Sequence, residues 1–303
     1  MATMEFFKFD PLVDPKASLA ALVNRFDESD MVVEIGCLQS NNSLHCCYHS
    51  QLEFTPQDAK IAMQRCVLMM KQYGDSEEMV VENCTKLMAH LCGQGTRPNA
   101  RWLVKFEGGA GELEMVLPEF ALADVGFRLW AGSLLLARLI FDNDQTLGNS
   151  PVVELGAGSG LCALANLIKP HPTNEVVITD FNQACLSAAK ESAARFGPKA
   201  QVLFMDWTKD PGQVAGVRWQ GAAVIGATIV YENRHAEEIS QLLHVLFTKF
   251  EIHSAAIAVH RAHSGYDRFH SLVSQFPFFA SLRLYQVSDD IGAHEVGVFC
   301  FQV

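Results

Sequence analysis

"PVVELGAGSGL", residues 151–161, decides the fold of this chain. An apolar run ends at Glu154 and Leu155, and glycines then stand at every second position, Gly156, Gly158 and Gly160. A β-branched run of this kind reads as a buried strand, and closely spaced glycines let the backbone turn sharply over a ligand into a helix. In an open α/β sheet the first such turn, at the carboxyl ends of the strands, is where ligands bind. The spacing is G-x-G-x-G, and Leu161 holds the place of the third glycine of the dinucleotide fingerprint. The lysine of a phosphate-binding Walker loop is missing as well, which argues against ATP or GTP.

Outward from that turn the chain alternates. "VGFRLWAGSLLLARLIF" reads as a helix before it, "GLCALANLIK" as a helix after it, "EVVITD" as the next strand and "NQACLSAAKESAARFG" as the next helix. "QVLFMD" and "GAAVIGATIV" follow as strands, then the helix "RHAEEISQLLHVLFTKF" and the strand "AAIAVH". "LRLYQV" and "HEVGVFCFQV" read as a closing pair of strands. Alternation of this kind means a mostly parallel sheet with helices on both faces. Ahead of it, "RWLVKFEG" and "GELEMVLP" form a hairpin across Gly108 to Gly111.

The first hundred residues have another character. Residues 15–27 show helical periodicity, and 31–38 read as a short strand or a buried helical turn. Residues 55–74 and 75–93 each open on a capping residue, Thr55 and Ser76, and stop at a glycine, Gly74 and Gly93. We therefore expect a helical extension over 1–98 and the α/β domain over 99–303. "HCCYH" (45–49) is expected to be a partly buried loop, because structural zinc needs a second ligand pair that the sequence does not offer.

The net charge of −11 argues against general nucleic-acid binding and favours a basic protein partner or a small ligand. Nine cysteines without paired C-x-x-C spacing, and the lack of a signal-like N-terminus or a membrane-length apolar run, lead to the expectation of a reducing, cytoplasmic location.

Acids close the successive strands. Glu154 lies just before the glycines, awkward beside a pyrophosphate but welcome near a cationic ligand. Asp180 ends the second strand, roughly 20 residues on, where an acid accepts bonds from ribose hydroxyls. Asp206 ends the third, where it would meet an adenine amino group. S-adenosylmethionine fits: it is cationic at sulfur and ammonium and carries no phosphate. The bland alternative is that Glu154 and Asp180 merely cap helix N-termini.

From about Trp102 onward the chain resembles a class I methyltransferase, and more narrowly methyltransferase family 16, the seven-β-strand protein-lysine methyltransferases. The resemblance is carried by "WLVKFEGGAGELEMVLPE", "GFRLWAGSLLLARLI", "VVELGAGSGL", "VVITDFN", "FMDW" and "VIGATIVYENRH". Its layout is similar to the elongation factor 2 lysine methyltransferase branch. The resemblance implies a Rossmann-like seven-stranded, mostly parallel sheet with an antiparallel last strand, bound S-adenosylmethionine, and a lysine in another protein, possibly of elongation factor 2, as acceptor. It implies a cofactor set of Trp130, Glu154, Gly156, Ala157, Gly158, Gly160, Asp180, Phe181, Asp206, Trp207 and Ala227.

The sequence departs from that family twice. Its D-x-x-Y motif falls on Thr228 to Tyr231, keeping the tyrosine and losing the acid, and the acid usual after the tryptophan is Ala131. A carboxylate beside the acceptor draws in and orients an ammonium, whereas threonine brings a hydrogen bond without charge. Tyr231, Thr228 and the neighbouring Glu232 are the candidate catalytic residues, with His260, Arg261, His263 and Tyr266 on the same side. Two other readings stay open: a cofactor-binding but catalytically silent interaction module, and an enzyme acting on a less basic nitrogen.

Overall fold

The computed structural model describes residues 31–50, 100–108, 111–118, 120–123, 126, 128–142, 151–172, 175–289 and 292–303. The helical segments expected at 15–27, 55–74 and 75–93 lie outside them. The described part of the N-terminal hundred residues is strand: β1 (Met31–Ile35) and β2 (Ser43–Ser50). The "HCCYH" stretch is thus part of β2 rather than a loop, and a buried Cys46 alternates with less buried His45 and Cys47, as a pleated strand requires.

The hairpin forms as β3 (Ala100–Phe106) and β4 (Glu112–Leu117), antiparallel with Trp102 opposite Met115. A single helical turn (Phe120–Ala123) leads to α1 (Ala131–Phe141), which starts at Ala131 and not at residue 125 as its periodicity suggested. The alternating unit then runs β5 (Val152–Leu155), α2 (Leu161–Ile168), β6 (Val176–Asp180), α3 (Gln183–Ala193) and β7 (Ala200–Phe204). It continues as β8 (Ala223–Ala227), α4 (Asn233–Thr248), β9 (Ser254–His260), α5 (Gly265–Val273), β10 (Phe279–Asp289) and β11 (Gly292–Gln302). Among the described residues no helix is long and apolar enough to cross a membrane.

One sheet of eleven strands results, in the order β4-β3-β1-β2-β10-β11-β9-β8-β5-β6-β7. The expected seven strands are therefore four short. The stretch β10-β11-β9-β8-β5-β6-β7 holds the predicted alternating unit, with β11 antiparallel to both its neighbours as expected. The edge of β10 is not left open: β2 pairs with it in parallel through Gln286, Val287 and Ser288, and β1, β3 and β4 follow. An unpaired edge would leave a row of backbone donors and acceptors exposed, and these four strands satisfy it.

β5, β6, β8 and β9 are parallel neighbours, packed on both faces, which is why they read as unbroken apolar runs. One face carries α1 and α2 through Leu134, Leu135, Leu161 and Leu164; the other carries α4 and α5 through Ile239, Leu243 and Phe269. Both layers lead their loops to the carboxyl ends of β5, β6, β7 and β8. The chemistry-bearing residues gather there.

Candidate functional site

The glycine turn after β5 takes the shape its residues allow. Gly156, Gly158 and Gly160 have φ of 55°, 56° and 84°, a region costly for any residue with a Cβ. At Gly156 space forbids a side chain as well: a Cβ would stand 2.7 Å from Ile229 Cγ2 and 2.8 Å from the Trp207 ring. Asp180, at the end of β6, holds the turn in place. Its Oδ2 accepts the Gly158 N–H at 2.9 Å and its Oδ1 the Asn182 N–H at 2.8 Å. Burial pushes the Asp180 carboxyl above the ordinary carboxylate range, and the N–H groups of Asn182, Gly158 and Phe181 work against that shift.

A cleft opens over this turn. Its walls are the glycine loop (Gly156, Ala157, Gly158), the end of β6 (Asp180, Phe181), Trp207 after β7, and Ala227, Thr228 and Tyr231 after β8. Arg128, Trp130 and Ser133, leading into and opening α1, close the remaining side together with His263 from the loop after β9. Trp207 is fixed by its indole N–H, which donates to Glu238 Oε2 at 3.0 Å, and it meets the Phe181 ring edge-on. The Tyr231 ring leans on His235 at 4.1 Å and meets His263 at 6.4 Å. Burial lowers the pKa of both His235 and His263, so these rings are neutral at pH 7.

Four residues expected at the site do not line this cleft. Glu154 is buried behind the turn, where its Oε2 accepts the Ala163 N–H at 2.8 Å in the first turn of α2. Desolvation raises its pKa to about 7. Gly160 is the N-cap of α2 and faces Ile178. Asp206 turns to its own loop, its Oδ1 accepting the Thr208 N–H at 3.0 Å and hydroxyl at 2.6 Å, and those bonds hold its pKa low. Glu232 is exposed at the N-cap of α4. Glu154 thus matches the helix-capping alternative, and Asp180 ties down the loop while also facing the cleft.

Thr228 has φ 58°, rare for a β-branched residue, and its buried Oγ1 has no hydrogen-bond partner. Asp tolerates that backbone far better, which gives a conformational reason for the acid usual at this position. Sequence reasoning missed Arg128 and Ser133. Arg128 is a lone cation inside an apolar stretch, and that oddity was the one signal available.

The site has what S-adenosylmethionine requires. An acid stands at the end of the second strand, and at Gly156 the turn leaves no room for a side chain. Aromatic walls (Trp130, Phe181, Trp207) can stack a base, and Arg128 brings a cation to the same lining.

The chain is similar in sequence to known methyltransferases. Protein-lysine N-methyltransferase EFM2 of Saccharomyces cerevisiae is 23% identical over 203 residues, covering 58% of this chain and 48% of its own. Human methyltransferase-like protein 22 is 34% identical over 96 residues, 29% of this chain and 23% of its own. The chain thus spans about half the length, or less, of the curated relatives it matches. Among solved structures, the METTL16 methyltransferase domain covers 94% of this chain and 92% of its own at 11% identity and a TM-score of 0.46, a likeness too loose to argue from. The lysine methyltransferase family profile matches residues 111–276, from the β3–β4 hairpin to the end of α5. That span is more than half of the 303 residues and contains the whole glycine turn and its cleft, so the chain belongs to the lysine methyltransferase family.

Proposed function

We propose that this protein transfers a methyl group from S-adenosylmethionine to the ε-amino group of a lysine in another protein. The observation that carries the reading is the cleft itself: a glycine turn pinned by Asp180, lying within the span that matches the lysine methyltransferase family.

When bound, S-adenosylmethionine supplies a methyl carbon already activated by its sulfonium. What remains for the protein is positioning and a neutral amine. Asp180 keeps lone pairs free for ribose hydroxyls after accepting from Gly158 and Asn182. Phe181 and Trp207 would hold the adenine between their rings, and Trp130 closes the cleft beside α1. Tyr231, on the same cleft wall, would present a ring face to the incoming ammonium. A lysine arrives protonated, with a pKa of about 10.4 in water. The desolvated wall of Tyr231, Thr228 and neutral His263 penalises that charge and favours the amine.

The acceptor is a basic segment of a protein, in keeping with the net charge of −11. Elongation factor 2 is the first candidate, supported by the resemblance in layout and by the relation to EFM2, and cytoplasm is the matching location.

Methyl-labelled S-adenosylmethionine, incubated with the full chain and an extract containing elongation factors, tests the reading. A labelled protein band whose acid hydrolysate carries the label in methyl-lysine is expected. Label confined to other residues or to RNA, or no transfer at all, would overturn it.

A further inference from the structure

Arg128 is a buried cation without adequate partners. It is 7% exposed, it lines the cleft, and its Nε has no hydrogen-bond partner. Its guanidinium lies 5.2 Å from the Trp130 ring centroid. The nearby carboxylate oxygen, Asp289 Oδ2, is 3.8 Å from Nη2, an ion-pair distance too long for a hydrogen bond. A buried charge normally finds closer company than this.

Asp289 is occupied elsewhere. Its Oδ1 is 3.1 Å from His294 Nε2, and His294 Nδ1 is 2.9 Å from His260 Nε2. His260 Nδ1 accepts the Ala262 N–H at 3.2 Å. The direction of that last bond fixes the tautomers: His260 donates through Nε2 to His294, and His294 donates through Nε2 to Asp289. The carboxylate is therefore served by a neutral histidine relay and does not need Arg128 to be satisfied.

The second observation is independent. α1 begins beside Arg128, and its N-cap, Trp130, offers no side-chain hydrogen bond to the first turn. Ser133, in that turn, sends its hydroxyl back to the Trp130 carbonyl at 2.7 Å and still lines the cleft. An uncapped helix N-terminus favours an anion, and Arg128 adds a planar fork suited to a carboxylate. Among the described residues lining the cleft, Arg128 is the one lysine or arginine.

We propose that Arg128 and the N-terminus of α1 form the seat for the carboxylate of the cofactor's aminoacyl arm. This rests on the reading of the cleft as an S-adenosylmethionine site. The carboxylate is the one anionic group of that cofactor, and Arg128 is its one arginine or lysine counterpart among the described residues lining the cleft.

Calorimetric titration of the full chain with two ligands tests it: S-adenosylhomocysteine, which carries the aminoacyl arm, and methylthioadenosine, which shares the adenosine and thioether but lacks the arm. Arg128→Gln is expected to weaken S-adenosylhomocysteine about 10- to 100-fold, as for a lost hydrogen bond to a charged group, and to leave methylthioadenosine within about twofold. Arg128→Lys, which keeps the charge without the fork, is expected to fall between, and covers the case in which the glutamine variant does not fold. Asp289→Asn is expected to hold S-adenosylhomocysteine at least as tightly as the native protein. An equal effect of the Arg128 variants on both ligands, or none on either, overturns the seat and leaves the cofactor reading standing. Equal native affinity for the two ligands does the same. Failure of the native protein to bind either removes the cofactor reading and the seat with it.

Discussion

Glu154 lies behind the glycine turn, where its carboxyl accepts the Ala163 N–H. Burial raises its pKa from 4.5 to about 7. An acid raised in this way stays protonated in the fold while the unfolded chain ionises. The stability is therefore full below pH 4.5 and is lost as pH rises through about 7. The shift corresponds to roughly 3 kcal/mol, an order-of-magnitude figure. Glu154→Gln keeps an acceptor for Ala163 and never ionises. It should raise the melting temperature by several degrees at pH 8, with the gain fading by pH 4.5; a pH-independent difference would contradict the assignment. Gly156 gives a second expectation at this scale. Gly156→Ala places a methyl against Ile229 and Trp207 at positive φ, so S-adenosylhomocysteine affinity should drop by roughly 5- to 150-fold in calorimetry, the range of an overpacking cost of about 1–3 kcal/mol.

The loop between β8 and α4 carries the most consequential departure at the scale of elements. Thr228 keeps a left-handed backbone that suits Asp, and its buried Oγ1 has no hydrogen-bond partner. Thr228→Asp should relieve the backbone and add a charge facing the lysine ammonium. The expected result is a rise of roughly tenfold in the rate of label transfer, the scale of one charge-assisted hydrogen bond. A fall would show that the threonine is tuned to a neutral acceptor. Other elements differed in how openly they declared themselves. β5, β6, β8 and β9 were legible because strands buried on both faces are continuous apolar runs. α5 was missed: its buried side chains Tyr266, Phe269 and Val273 are few and interleaved with Asp267, Arg268 and His270. α1 began later than its periodicity because Trp130 adopts an extended backbone, ψ 156°, and serves as N-cap.

For the whole molecule, the eleven-stranded sheet is the feature least visible in sequence. That β2 lies beside β10 depends on a pairing between residues more than two hundred positions apart, Leu44 with Val287, which no local pattern encodes. The cofactor turn was legible because its glycines and acids lie within a short span, whereas Arg128 gains meaning from Asp289, brought to it by the far end of the chain. Leu44 is 1% exposed and belongs to the same core as Leu134 of α1 and Val296 of β11. Leu44→Ala should cost about 2–5 kcal/mol in denaturant unfolding. Circular dichroism and loss of S-adenosylhomocysteine binding should then shift together, because the added strands and the cofactor fold share that core; separate transitions would argue for independent units. Whether the cleft over the glycine turn holds S-adenosylmethionine is tested most directly by titrating S-adenosylhomocysteine into the native protein and into Gly158→Arg, side by side in a calorimeter. One site per native chain is expected and none in the variant, whose side chain would be forced into the cleft at φ 56°. No heat from the native protein, or equal binding by both, would contradict it.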